Sequence, residues 1–185
     1  MTGVETVFSV VTLAGDADYI GEDVSQSEHM RQAARLAQRA GADNELILAA
    51  FLHDIGHLCA AEDAPQMDGL GVVDHEHLGA DLLLQAGFSN RVAELVRLHV
   101  QAKRYLCWRN THYYQNLSDA SRGTLRHQGG PMTTSEAKAF EQHPHFSDIL
   151  RLRTWDEAAK VVDGEAMSLD ELYALSVEHV MHQGA

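Results

Sequence analysis

The chain has 185 residues and a formal charge of −13, with 45% hydrophobic and 22% charged residues. That composition predicts an ordinary globular protein, long enough for one compact domain over 1–185. The acidic balance excludes nucleic acid and anionic membrane surfaces as partners, since both are held by Lys and Arg. No apolar run of about 18 residues is present, and the start, MTGVETVFSVV, has neither a basic n-region nor a cleavage site, so a cytoplasmic protein is expected. Cys59 and Cys107 have no C-x-x-C partner and are expected to be reduced, buried thiols.

In chain order, apolar residues recur at three- and four-residue steps and no strand pattern stands out, which predicts an all-α fold. The first core helix is expected over 28–40, with Met30, Ala33, Ala34 and Ala37 on one face and Gly41 as its stop. Asp43 is an N-cap candidate for a central helix, ELILAAFLHDIGH, that is apolar nearly all round. Residues 62–71 carry turn residues without a period and predict a loop bordering the site. His75 opens the next helix, with Asp74 near its N-cap and Gly87 at its end, and Ser89 caps the one after it. A helical patch within 116–130 ends at Gly129-Gly130-Pro131. Thr133-x-x-Glu136 and Ser168-x-x-Glu171 are capping boxes that start later helices.

Twelve histidines occur. His77, His112, His127, His143, His145, His179 and His182 sit in polar surroundings or near the chain end and are assigned to solvent. His53-Asp54 differs, because it follows LILAAFL, where a carboxylate buried alone would be costly. His29 lies 24 residues before His53, His75 lies 22 after it and His99 a further 24 on, each on its own predicted helix. One ligand per helix is how bundles build metal sites, and Asp156 in RLRTWDEAAKV closes the set. Four imidazoles and two carboxylates suit iron, manganese or zinc better than calcium or magnesium. Six ligands exceed one tetrahedral site, so two metals bridged by Asp54 are expected.

His29, His53-Asp54 and Asp156 match the H...HD...D signature of the HD-domain superfamily, most of whose members are metal-dependent phosphohydrolases. His75 and His99 resemble its two-metal version, found in some hydrolases and in di-iron oxygenases such as myo-inositol oxygenase. Further strings complete the likeness: DYIGE at 18–22, GADNE at 41–45, HVQAKRYL at 99–106, NLSDAS at 116–121 and QGGPM at 128–132. Together they resemble the mixed-valent di-iron oxygenases that cleave the carbon–phosphorus bond of 1-hydroxy-2-aminoethylphosphonates (the PhnZ and TmpB types), over residues 16–160.

The resemblance implies an HD-domain helical bundle with a di-metal site in its core. His29, His53, Asp54 and Asp156 would hold one iron, and His75, His99 and bridging Asp54 the other. It also implies a mixed ferrous and ferric pair, with dioxygen as co-substrate. Tyr19 would occupy an iron position until substrate displaces it, and Glu22 would face the substrate's amine. His57, Lys103, Ser121 and Gln128 would contact phosphonate or hydroxyl oxygens. His57, four residues after His53, equally fits a role in orienting that ligand, and Lys103 lies on the face of His99. The implied reaction is oxidative, giving phosphate with glycine betaine from the trimethylammonium compound or glycine from the primary amine. Quaternary ammonium recognition favours aromatic walls, for which Tyr19, Tyr105, Trp108, Tyr113 and Tyr114 are candidates, and the overall likeness to the TmpB type implies the trimethylated substrate. An upstream iron and 2-oxoglutarate hydroxylase would supply it. The alternatives are an HD phosphohydrolase with the same six ligands around redox-inert metals, and a silent HD module that binds a metabolite or partner.

Overall fold

A computed structural model describes residues 2–19 and 21–183. Its helices are α1 (Gly3–Ala14), α2 (Gln26–Arg39), α3 (Asn44–Leu52), α4 (Ile55–Cys59), α5 (His75–Gln85), α6 (Asn90–Arg109), α7 (Thr111–Asn116), α8 (Asp119–His127), α9 (Thr134–Phe140), α10 (Phe146–Ala158) and α11 (Leu169–Gln183). Among the described residues there is no strand, only isolated bridges at Asp18–Ser25 and Gln66–Val72. The all-α expectation is met. Among the described residues no helix is long and apolar enough to cross a membrane.

The helices start where side chains can satisfy their free N–H groups. Thr133 and Ser168 cap α9 and α11 as their sequences predict. Ser89 Oγ accepts from Val92 N–H, and an Asp43 carboxylate oxygen from Leu46 N–H. Two capping boxes went unread in the sequence, Thr2/Glu5 before α1 and Ser25/Glu28 before α2, so α2 begins two residues ahead of the expected start at Glu28. Asp74, expected to cap α5, sits in the left-handed region at φ 57° with no side-chain cap bond.

α3 is the centre of the core: Leu46 to Leu52 are all buried, and α2, α6, α10 and α11 pack around it. α5 lies against α6 and α4. The α4–α5 contact depends on Gly56, whose added Cβ would fall 1.8 Å from the His75 carbonyl oxygen. One apolar cluster runs from Val4 on α1 to Leu172 on α11. Cys107 is buried as expected, whereas Cys59 is only half-buried, and both are free thiols.

Two local expectations are corrected. The central helix does not run through His53-Asp54; it ends at Leu52, and the pair forms the joint before α4. Asp54 therefore takes φ −102° and ψ 8° instead of helical angles, which frees its carboxylate from the helix surface. His179 is buried rather than solvated, and its Nε2 accepts from Ser89 N–H at 3.1 Å.

Candidate metal centre

The six residues singled out by spacing converge, and none is more than 4% exposed. His29 comes from α2, His53 and Asp54 from the α3–α4 joint, His75 from the start of α5, His99 from α6 and Asp156 from α10. His29 Nδ1 lies 2.9 Å from the Ala159 carbonyl, His53 Nδ1 2.9 Å from that of Ala50, and His99 Nδ1 2.7 Å from that of Val96. A carbonyl only accepts, so each Nδ1 carries a proton, and in the neutral imidazole each Nε2 presents a lone pair.

Those lone pairs face one another. His29 Nε2 is 3.0 Å from His53 Nε2, and His75 Nε2 is 3.2 Å from His99 Nε2. Asp54 divides its carboxylate between the pairs. Oδ2 lies 3.6 and 3.4 Å from the Nε2 atoms of His29 and His53, and Oδ1 lies 3.3 and 3.5 Å from those of His75 and His99. Asp156 Oδ1 joins the first pair at 3.5 and 3.7 Å. Acceptors this close, buried and without a proton between them repel unless a cation sits among them. The donor set would suit two metal ions, with His29, His53, Asp54 and Asp156 able to hold one and His75, His99 and Asp54 the other.

The titration behaviour agrees. Burial opposes a charge on His53, but Asp54 and Asp156 outweigh it and push the imidazole up to about 10. Burial would raise Asp156, yet Arg153 and then His53 hold it well below the usual carboxylate range. Such a field takes up a cation, whether a proton or a metal.

His75 is held differently. Its Nδ1 has no hydrogen-bond partner, and neither has the buried Glu76 Oε2; the two atoms face each other at 3.5 Å. Glu76 thus stands behind the His75 imidazole, where a carboxylate commonly backs a histidine that binds metal.

A cavity of about 250 Å³ opens over this cluster, lined by Tyr19, Glu22, His57, Lys103, Ser121 and Gln128, all of them sequence candidates. Tyr19 stacks on His29 with ring centres 4.0 Å apart, and burial together with Asp54 and Asp156 holds its phenol well above 10. His57 stacks on His75 at 3.9 Å instead of orienting His53, the helix being interrupted at His53-Asp54 between α3 and α4. His57 Nδ1 accepts from Val72 N–H at 3.1 Å. Burial and then His75 pull it down to about 3, so it is neutral and offers an Nε2–H donor. Gly71 makes room for it: at φ 107°, a Cβ there would lie 2.7 Å from His57 Cε1.

Lys103 is 4% exposed, donates to Thr124 Oγ1 at 2.8 Å, and has no carboxylate partner among the described residues. Burial and then Arg153 pull its ammonium down to about 7. The cavity also holds residues that spacing did not single out: Gln26, Arg153 and Lys160. Arg153 pairs with Asp156 and Glu157. It lies three residues before Asp156 on α10, so helical periodicity around that ligand was the signal for it, whereas Lys160 follows the end of the helix and carried no such signal. Of the aromatic candidates only Tyr19 lines the cavity. Tyr105 packs against Trp108, Phe140 and Phe146, while Tyr113 binds Arg153 and Glu157.

Comparison with known proteins places this architecture. The HD domain family model matches residues 27–172. The chain belongs to the HD-domain family. Within it, the chain is 41% identical over 162 residues to the 1-hydroxy-2-(trimethylamino)ethylphosphonate dioxygenase (glycine-betaine-forming) of Leisingera caerulea, covering 88% of this chain and 82% of that one. It is 41% identical over 171 residues to the hydroxymethylphosphonate dioxygenase of Gimesia maris, covering 92% and 84%. It is also 41% identical over 178 residues to uncharacterized protein L432 of Acanthamoeba polyphaga mimivirus, covering 96% and 81%. This HD domain therefore groups with phosphonate dioxygenases over most of its length.

Proposed function

We propose that this HD-domain protein is a two-iron oxygenase that uses dioxygen to cleave the carbon–phosphorus bond of a small 1-hydroxyphosphonate. The observation that carries the proposal is a buried, carboxylate-free Lys103 over two pairs of facing imidazoles: an anion subsite above a cation-demanding floor. His29, His53, Asp54 and Asp156 would hold one iron, and His75, His99 and Asp54 the other. Two irons there would supply Lewis acidity and one-electron chemistry, which a bond without a good leaving group requires. The reaction balances as R–CH(OH)–PO3H2 + O2 giving R–COOH + H3PO4.

The chain's own residues bind and orient. Lys103 and Arg153 neutralise the phosphonate, and its arrival would restore the Lys103 ammonium that burial weakens. His57, neutral, donates from Nε2 to a phosphonate or hydroxyl oxygen. Gln128 has a buried Oε1 without a partner, an acceptor suited to the substrate hydroxyl, and Ser121 lines the same wall. Tyr19 covers His29 and keeps water from that side of the floor.

Three tails follow from this chemistry: trimethylammonium giving glycine betaine, a primary amine giving glycine, and hydrogen giving formate. The aromatic wall expected for a quaternary ammonium reduces to Tyr19, so the smaller tails fit better than the trimethylated compound that the sequence favours. A hydroxylase acting first would install the 1-hydroxyl. The test is phosphate release from all three compounds by iron-loaded protein, in air and without oxygen. Oxygen-dependent release is expected. Hydrolysis of phosphate esters without oxygen, and none of the phosphonates, would overturn the proposal in favour of a phosphohydrolase.

A further inference from the structure

Lys160 follows α10 and reaches back to the loop before α2. Its Nζ donates to Glu22 Oε1 at 2.8 Å and stands 5.7 Å from the centre of the Tyr19 ring. All three residues line the cavity, and the Lys160 and Glu22 side chains are only 14% and 18% exposed. A carboxylate beside an aromatic face is the recognition set for an ammonium ion. Here the chain's own ammonium already fills it. The other carboxylates lining the cavity do not offer a second such place: Asp54 and Asp156 belong to the imidazole cluster, and Asp18 is solvated at the mouth.

We infer that Lys160 is a specificity-determining residue, a resident cation in the subsite where a substrate's ammonium would sit, which tunes the enzyme to 1-hydroxyphosphonates with an uncharged tail. The inference rests on the proposed phosphonate reaction. An ammonium tail must displace Lys160 from Glu22 and leave a largely buried cation without its partner. A trimethylammonium tail suffers most, since it has no N–H to donate to Glu22 in exchange. A hydrogen tail, as in hydroxymethylphosphonate, leaves the pair intact, while Lys103 and Arg153 still take the phosphonate.

The experiment compares hydroxymethylphosphonate, 2-amino-1-hydroxyethylphosphonate and its trimethylated analogue on iron-loaded wild type, K160M, K160R and the double variant E22Q/K160M. Both kcat/KM for phosphate release and Kd by anaerobic calorimetry are measured. The wild type is expected to favour the uncharged tail. K160M should raise the ratio of amine to hydroxymethyl compound about tenfold or more, as a freed carboxylate gains a charge-assisted partner. K160R should keep the wild-type ratio, and E22Q/K160M should lose the gain. Phosphonates turned over with the same ratio in K160M as in wild type would overturn the role of Lys160 alone, as would a wild type that prefers the trimethylated compound. Failure of every phosphonate to bind or react in any variant would instead remove the reaction itself, and the inference with it.

Discussion

The floor of the cavity and its wall are built on different principles. On the floor, three of four imidazoles are fixed through Nδ1 by backbone carbonyls, two of them carbonyls only three residues back in the chain. On the wall, contacts run from side chain to side chain across the fold: Lys160 to Glu22, Lys103 to Thr124, Arg153 to Tyr113. Backbone anchoring sets the floor when the helices pack, whereas the wall can rearrange at the cost of a few side-chain contacts. Changes to the floor should therefore abolish chemistry, and changes to the wall should rescale it.

The largest effect should come from Asp54, whose two oxygens serve both imidazole pairs. D54N is expected to purify with less than half the metal of the wild type and to lose more than about a hundredfold in activity, since even a residue behind a ligand is worth 10–100-fold. Metal analysis by mass spectrometry reads this directly. A D54N protein with full metal content would show that Asp54 does not bridge.

On the wall, K103M should leave metal content unchanged and lower kcat/KM for phosphonate by about a hundredfold, the scale of a charge-assisted contact out of water. The pH dependence has a definite sign. With Lys103 pulled down to about 7, its ammonium is present below that pH and lost above it. Affinity for a phosphonate should therefore fall as pH rises through 7. K103R, charged throughout, should hold its affinity to higher pH. Equal pH profiles in the two proteins would remove Lys103 from the anion subsite.

The same division explains what the sequence made legible. The floor announces itself because four histidines recur at steps of 24, 22 and 24 residues and two carboxylates stand in apolar surroundings, so spacing and burial cost single out His29, His53, Asp54, His75, His99 and Asp156 together. The wall depends on partners far apart in sequence, such as Glu22 and Lys160, and no local pattern says that they meet. The break after Leu52 was hidden because the apolar run LILAAFL leads straight into His53-Asp54 with no proline or glycine at the joint. His179 looked solvated for its place near the chain end, yet α11 folds back over α3 and buries it.

Between floor and wall stands Glu76, beside the one imidazole without a carbonyl anchor. E76Q should weaken metal binding at the His75–His99 position about ten- to hundredfold and leave the His29–His53 position near wild type. Stepwise metal titration followed by spectroscopy separates the two. Equal weakening at both positions would mean that Glu76 acts through overall stability and not through His75.

The smallest effect should appear at Ser25, where scaffold and wall adjoin. Its side chain caps α2, and the loop carrying Tyr19 and Glu22 ends on it. That loop is held by its own backbone: Tyr19 N–H donates to the Val24 carbonyl, Glu22 N–H to that of Tyr19, and Gln26 N–H to that of Ala17. S25A removes the capping hydroxyl but none of these bonds. It should cost about 1 kcal/mol, lowering Tm by about 2–4 °C for a chain of this size. At temperatures where the variant stays folded, kcat/KM should remain within about twofold of wild type, because neither His29 nor Glu22 depends on the hydroxyl. A loss of activity much larger than the loss of stability would show that the cap of α2 also positions Tyr19 and Glu22, and that the wall is less independent of the helices than its side-chain contacts suggest.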